Sequence, residues 1–384
     1  MLLQLPTSAT VWAVRIGSLG MGSTRTQADV SADNGTTWQP AIIAGAVDFW
    51  AFDAQRAWLI TDFTGATRLR VTTTGPGGFA VAPTQIPGTV DFIRFFSPTV
   101  GVAIDNVSAG ATSWPIYRST DGGQSWQLVT SAPALAADAQ PSACTLLGNN
   151  LWVATTKGQL LLTANAGLTW TSASTPEPLT QVSFRDGQHG LAMGTSVAHL
   201  LYRTVDGGLT WTLSSPTGPR RLRALVAVPG TPGTYLSVGS NLDNPNDTNG
   251  TARSADDGQT WQDLGGTTAL GSIVANSAGQ AWVSQSYSGT LQRFAGAALP
   301  TYTAVQSVVS GVYPNPTTGR VQLPTAGAYR TVAVYDTTGH QCRTATLGAT
   351  ETALDLSSLG AGLYLLRWEG GSAAPQQQRL VVAP

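Results

Sequence analysis

Ser254–Trp261 reads SADDGQTW. The same octapeptide returns as Ser31–Trp38 (SADNGTTW), Ser119–Trp126 (STDGGQSW), Thr163–Trp170 (TANAGLTW) and Thr204–Trp211 (TVDGGLTW). Each copy has the composition of a tight turn between two strands. An Asp side chain accepts hydrogen bonds from backbone N–H groups two residues on and closes the turn locally. The Gly (Gly35, Gly123, Gly167, Gly208, Gly258) takes a positive φ at little steric cost. The Trp starts the return strand and offers a large ring for burial. Ile116-Tyr117-Arg118 and Leu201-Tyr202-Arg203, just before two of the copies, alternate as a strand does.

The closing residues Trp38, Trp126, Trp170, Trp211 and Trp261 serve as a ruler, with spacings of 88, 44, 41 and 50 residues. A gap of 88 is two periods, so a degenerate copy belongs near residue 80. Thr72–Phe79 (TTTGPGGF) lies there, with Phe79 in the place of the Trp and no Asp. One period past Trp261, Leu291–Phe294 is a strand without an octapeptide. The result is seven units of about 40–50 residues, the period of a four-stranded propeller blade. Paired apolar strands precede the octapeptides: Val47–Trp50 and Ala57–Ile60, Val90–Ile93 and Gly101–Ile104, Gln181–Phe184 and Gly190–Met193. In the first unit Val11–Val14 matches the second strand, and Leu2–Leu5 is the candidate inner strand unless that strand is missing. The N-terminal residues are expected to help close the ring by completing an incomplete blade. Radial stacking buries both faces of every blade, which is why seven units make one domain.

On these residues the repeat resembles the Asp-box, also called the BNR repeat. The resemblance implies that it marks the outer hairpin of a β-propeller blade, away from the functional face. Asp33, Asp121, Asn165, Asp206 and Asp256, with the five Trp residues, are therefore read as turn staples and not as catalytic or metal-binding groups. Asn165 keeps an acceptor oxygen, so its turn is expected to survive. The expected fold is all-β: a seven-bladed propeller over residues 1–300, its second and seventh blades without a proper box, followed by a small antiparallel β-sandwich.

Residues 301–310 read as a linker. From Gly311 to Pro384, short strands at 8–15-residue spacing with turn signals suggest the sandwich. YPNPTTG (Tyr313, Pro314, Asn315, Pro316, Gly319), VYDTTG (Tyr335, Asp336, Gly339), LDLSSLGAGLYLL (Gly362, Tyr364) and a terminal RLVV resemble the type A C-terminal sorting domain of the type IX secretion system. The resemblance implies that residues 308–384 engage the secretion machinery of Bacteroidetes-type bacteria. It implies passage across the outer membrane, then cleavage by a sortase that leaves the cargo on the cell surface or released. Such cargo first needs a Sec leader. Met1–Pro6 has neither a basic n-region nor an apolar core, so either the protein stays inside the cell or these residues follow a removed leader, and the sorting-domain resemblance favours the second.

Composition narrows the partners. Charged residues are 11% of the chain and the net charge is −1, with no basic block, which argues against nucleic acid or an anionic membrane surface. No apolar run reaches the roughly 18 residues of a membrane span. Cys144 and Cys342 fall in different expected domains and read as two buried apolar thiols.

Enzymatic readings find little support in the residues. Sialidase chemistry needs an Arg triad, a Tyr nucleophile with a Glu, and an Asp. Arg94, Arg185 and Arg223 lie on expected inner strands and can in principle converge, but the propeller's one Glu, Glu177, sits between two prolines in a connector. A xyloglucanase-type glycosidase needs two facing carboxylates. Asp48, Asp91 and Asp186 recur near inner strands, Asp48 and Asp91 in a V-D-F pattern that reads as structural. Asn241–Gly250 is rich in oxygen ligands, but its carboxylates, Asp243 and Asp247, lack EF-hand spacing. His189, His199 and His340 have no ligand spacing. Trp50, Trp58, Trp114, Trp152 and Trp282 lie outside the boxes and read first as blade-to-blade packing, second as platforms for sugars or a partner protein. No catalytic residue, metal or cofactor is assigned. The expectation is a secreted or surface-displayed protein that binds a glycan or protein through the face opposite the boxes. A glycoside hydrolase of sialidase or xyloglucanase type is the alternative, and a scaffold or assembly factor a third class.

Overall fold

The computed structural model describes residues 2–383 apart from 7–8, 19–23, 45, 64–65, 106–110, 197–198, 242–246, 277–279, 287–289, 295–301, 305–316, 324–330, 338, 347–352 and 370–375. The chain forms two compact units, Met1–Val305 and Gln306–Pro384. Both are all-β, and the one helical element described is the short 3-10 turn Pro76–Gly78.

The first unit is a β-propeller domain. Its described residues form seven antiparallel four-stranded sheets, over residues 2–44, 46–81, 90–128, 141–174, 179–214, 224–265 and 270–304, here sheets 1 to 7. Every sheet is a meander of four strands consecutive in sequence. Leu2–Gln4 is the inner strand of sheet 1 and pairs with Val11–Ser18, so the N-terminus completes its own sheet. Tyr302–Ala304, within the expected linker, is instead the fourth strand of sheet 7 and pairs with Leu291–Phe294. An outer strand there covers the backbone edge that Leu291–Phe294 would otherwise expose.

The octapeptides lie between the third and fourth strands of sheets 1, 3, 4, 5 and 6. Their internal hydrogen bonds repeat from copy to copy. In sheet 6, Gly258 N–H donates to Ser254 Oγ at 2.9 Å, Ser254 Oγ–H to Asp256 Oδ1 at 2.8 Å, and Thr260 N–H to the same Oδ1 at 2.9 Å. Thr260 Oγ1–H donates to Asp256 Oδ2 at 2.6 Å, and Trp261 Nε1–H to Gly258 O at 3.1 Å. The carboxylate thus reaches the N–H four residues on, two residues further than its sequence suggests. The Ser or Thr that opens the motif holds the buried glycine N–H. Two successive residues take positive φ, Asp257 at 57° and Gly258 at 77°. A Cβ on Gly258 would also lie 2.6 Å from Leu191 Cδ1 of the preceding sheet. At Asn165 the turn persists: Oδ1 accepts Thr169 N–H at 3.0 Å, while Nδ2 donates to Thr169 Oγ1 at 2.8 Å.

The same hairpins clip neighbouring sheets together. Trp58 in sheet 2 stacks on Phe95 of sheet 3 at 3.6 Å and donates Nε1–H to Gly122 O at 2.9 Å. Trp152 in sheet 4 repeats this on Phe184 at 3.9 Å and Gly207 O at 2.8 Å. Trp126 and Trp211 meet those two Phe rings edge-on, both at 6.0 Å. Phe79 takes the equivalent place in sheet 2, edge-on to Trp12 at 6.2 Å. Ring closure uses the same parts: Trp38 of sheet 1 packs edge-on to Trp282 of sheet 7 at 6.0 Å, and Arg293 Nη1 donates to Asn34 O at 3.3 Å. Trp58, Trp114, Trp152 and Trp282 are therefore core residues, all at most 3% exposed.

In the second unit, Gln341–Ala345, Thr331–Tyr335, Gly362–Glu369 and Gln376–Val382 form a four-stranded antiparallel sheet in that order. Arg320–Gln322 pairs with Ala353–Asp355. Val321, Val332, Val334, Leu354, Leu366 and Trp368 fill the core between these layers.

Candidate functional site

In a four-stranded meander, the turn after the first strand and the turn after the third emerge at the same end. The octapeptides and the first turns of their sheets thus share one face, and they are tied together: Gly122 N–H donates to Thr99 O at 2.8 Å, Ala166 N–H to Asn149 O at 3.0 Å, and Gly207 N–H to Gln188 O at 2.8 Å. The acids on this face are occupied within the fold. Arg185, in the first turn of sheet 5, grips Asp257 in sheet 6 through Nε at 2.7 Å and Nη2 at 3.2 Å. Its Nη1 donates to Asp186 at 2.8 Å, whose Oδ1 also accepts the N–H groups of Gln188 and His189.

Asp33, Asp121 and Asp206 are each held at about 2, below the ordinary 3.8. For Asp33 the hydrogen bonds of Thr37 and Ser31 lower it. For Asp121 and Asp206 burial pushes the pKa up, and the hydrogen bonds from Ser125 and Ser119, and from Thr210 and Thr204, outweigh it. This is the behaviour of a turn staple that stays ionised, not of a proton donor.

The three expected arginines do not converge. Arg94 is half-buried on an inner strand, its Nη1 2.6 Å from Asp48 Oδ2 and its Nε 3.3 Å from Cys144 Sγ. Its guanidinium lies over the rings of Phe92 and Trp50, at 4.3 and 5.3 Å. Asp48 Oδ2 also accepts the Ile93 N–H at 2.8 Å. Asp48, Arg94 and Cys144 come from the inner strands of three consecutive sheets, so this cluster ties sheets 2, 3 and 4. Burial opposes the Arg94 charge, but Asp48 outweighs it and raises the pKa. Burial likewise pushes the Cys144 thiol up. Arg185 is on the octapeptide face and Arg223 is exposed. Cys342 is an exposed thiol and Cys144 a half-buried one held by Arg94, in place of the two buried apolar thiols expected. The side chain of Asp91 and residue Asp243 lie outside the described residues. Asp247 is buried, and its Oδ1 takes Leu222 N–H and Thr248 N–H while Oδ2 takes Ser240 N–H. It is a loop staple.

The opposite face carries the turns after the second strands and the connectors between sheets. There, between sheets 4 and 5, Ser142, Thr156, Pro178, Leu179, Thr180 and Thr195 line a concavity of about 350 Å³. None of these residues is charged. Beside it stands Glu177, which sequence reasoning set aside as a connector residue. Its Oε1 accepts Tyr202 Oη–H at 2.8 Å, and its Oε2 accepts Ser196 N–H at 2.8 Å and Thr195 Oγ1–H at 3.5 Å. Burial pushes Glu177 up, but the hydrogen bonds from Tyr202, Ser196 and Thr195 outweigh it and leave the pKa lowered. Burial, then Glu177 itself, raises Tyr202. A Cβ on Gly194 would lie 2.0 Å from Glu177 Oε1, so glycine is what admits the carboxylate. The sequence signal for this pair was the absence of any other Glu before residue 351.

In the second unit, Gly319, Tyr335, Asp336, Gly339, Gly362 and Tyr364 are described, while Tyr313, Pro314, Asn315 and Pro316 lie outside the described residues. Gly339 takes φ 85° in the hairpin turn after Tyr335. Tyr364 Oη–H donates to Gly360 O at 2.9 Å.

Residues 311–383 match the family model of a secretion system C-terminal sorting domain. Residues 106–222 match that of the DUF6242 beta propeller domain. Comparison with curated proteins finds no match. Among solved structures, the chain is similar to the GH74 xyloglucanase from Xanthomonas campestris, at 13% identity over 94% of this chain and 66% of that one, with a TM-score of 0.53. YCF48 from Cyanidioschyzon merolae is 15% identical over 76% of this chain and 97% of its own, with a TM-score of 0.52. The Niastella koreensis GH74 enzyme is 12% identical over 96% and 72%, with a TM-score of 0.51. At these identities the likeness shows the propeller fold alone.

Proposed function

We propose that this is an exported, non-catalytic binding protein: a seven-bladed Asp-box propeller that presents a glycan or protein site on the face opposite the boxes. The type IX sorting domain at residues 308–384 delivers it to the cell surface or beyond. The match over residues 311–383 supports export. The observation that carries the binding reading is the concavity between sheets 4 and 5. Its volume falls at the lower end of small-ligand sites. Its hydroxyls suit hydrogen bonding to sugar hydroxyls or a peptide backbone. Its neighbouring carboxylate, Glu177, is engaged by Tyr202 and Ser196 and held ionised, which does not suit a general acid. It has the Tyr–Glu pairing that sialidase chemistry needs, but Arg94 and Arg185 are engaged elsewhere by Asp48 and Asp257, and no second carboxylate among the described residues lines the concavity.

The test is a glycan array with the full chain, run beside a screen of sialyl and β-glucosyl chromogenic substrates. Binding that disappears on Thr195→Trp, with no turnover, supports the proposal. Turnover that is lost on Glu177→Gln overturns it in favour of a glycoside hydrolase. For export, deletion of residues 308–384 from an otherwise exportable precursor is expected to trap it in the periplasm. Surface delivery of the truncated protein refutes the sorting role.

A further inference from the structure

In the second unit, Asp336, His340 and Cys342 converge, each offering one ligand atom, and these atoms lie within 4.8 Å of one another. All three come from a single hairpin. The strand Thr331–Tyr335 ends just before Asp336, and its partner Gln341–Ala345 begins just after His340. His340 and Cys342 are two residues apart, which puts them on the same side of an extended chain. Asp336 faces them across the turn. Its N–H donates to the His340 carbonyl at 2.9 Å, and its Oδ1 accepts the His340 N–H at 3.0 Å. Its Oδ2 lies 3.9 Å from His340 Nδ1. Both His340 and Cys342 are exposed. A reading by linear spacing missed this set because only the hairpin brings Asp336 against the other two.

We infer that Asp336, His340 and Cys342 form a binding site for a divalent cation of the zinc class. The geometry is close to what such an ion needs. Ligands about 2.0–2.3 Å from a tetrahedral centre stand roughly 3.3–3.8 Å apart. Rotation of exposed side chains supplies the remaining movement. A thiolate and an imidazole select against calcium and magnesium, which take oxygen ligands. Three protein ligands leave a fourth position for water or for a donor from another molecule. The thiolate and neutral imidazole bind deprotonated, so affinity rises with pH as protons are released.

The experiment is a titration of the reduced, untagged full chain with Co²⁺, followed by absorption spectroscopy. The expected result is one equivalent bound, with a thiolate-to-cobalt charge-transfer band in the near ultraviolet and tetrahedral d–d bands in the visible. Zinc displaces the cobalt and calcium does not. Cys342→Ser abolishes the charge-transfer band, and His340→Ala weakens binding by at least about tenfold. Cys144→Ser, which removes the propeller thiol, leaves the spectrum unchanged. Absence of a charge-transfer band at millimolar cobalt overturns the inference. So does a band that survives Cys342→Ser or is lost with Cys144→Ser.

Discussion

Ser254→Ala is a sharper test of the octapeptide than removal of its acid. Ser254 is 1% exposed, and its Oγ accepts the buried Gly258 N–H at 2.9 Å. Alanine leaves that N–H without its acceptor, at a cost of about 1–3 kcal/mol. Asp256 loses one donor, but it sits at the surface, where water replaces the bond. The working value is about 2 kcal/mol, or a fall in Tm of roughly 3 °C for a unit the size of Met1–Val305. Asp256→Asn, by contrast, keeps the acceptor for Thr260 N–H. The fold already contains that variant: Asn165 holds Thr169 N–H at 3.0 Å and turns its amide to Thr169 Oγ1. The expected cost is within about 0.5 kcal/mol. Thermal and urea unfolding followed by tryptophan fluorescence measures both. If Ser254→Ala is neutral while Asp256→Asn costs more than about 2 kcal/mol, charge and not acceptor geometry holds the turn, and the reasoning fails.

Asp33, Asp121 and Asp206 have folded pKa values of about 2 against an ordinary 3.8, so their contribution to stability is present above pH 3.8 and disappears as pH falls towards 2. Carboxyl ¹³C titration by NMR should show midpoints near 2 for these three, and midpoints near 3.8 would remove the staple argument. Asp48→Asn strands the half-buried Arg94 guanidinium and is expected to cost about 3 kcal/mol in urea unfolding, while the double variant Asp48→Leu with Arg94→Met recovers only part of that loss, because the Ile93 N–H then lacks its acceptor. Failure of the double variant to recover any of it would mean the pair contributes more than its own compensation. Trp282→Ala removes a wholly buried ring from the closure between sheets 1 and 7, with an expected cost of about 3–5 kcal/mol. Hydrogen exchange should then quicken first in Val11–Ser18 and Ala281–Gln285, and uniform quickening across the sheets would contradict a local seam.

The architecture was legible because its turn chemistry repeats. An Asp, a Gly and a Trp at fixed offsets carry phase, so even TTTGPGGF placed Phe79 where the structure packs it, edge-on to Trp12. What the octapeptide does beyond its own turn was not legible. Ser254 and its equivalents read as ordinary turn residues, yet they satisfy the buried glycine N–H. Clips such as Trp58 to Gly122 O span 64 residues and follow only from the stacking of sheets. The candidate site was least legible. Glu177 between two prolines gives no periodic signal, and its partners Ser196 and Tyr202 arrive from a different turn and strand. The strand Tyr302–Ala304 was missed because Thr-Tyr-Thr-Ala is too short to show alternation.

Among the described residues, each sheet of the propeller is built from its own four consecutive strands, and none crosses the join between the first and the last. The ring is therefore divisible. A cut at the boundary between two sheets leaves each four-stranded ladder whole and opens a seam held by side chains and by a few connector bonds, such as Trp261 N–H to Thr217 O at 2.8 Å. Such a chain can gain or lose a whole unit by duplication or deletion of one contiguous segment of gene, with no strand orphaned on either side. It can also begin at any boundary, so circular permutants that start at residue 90, 141, 179 or 224 should fold to the same ring. The order of the sheets around the ring is a matter of counting, and the ring's diameter is a number that sequence can change one integer at a time.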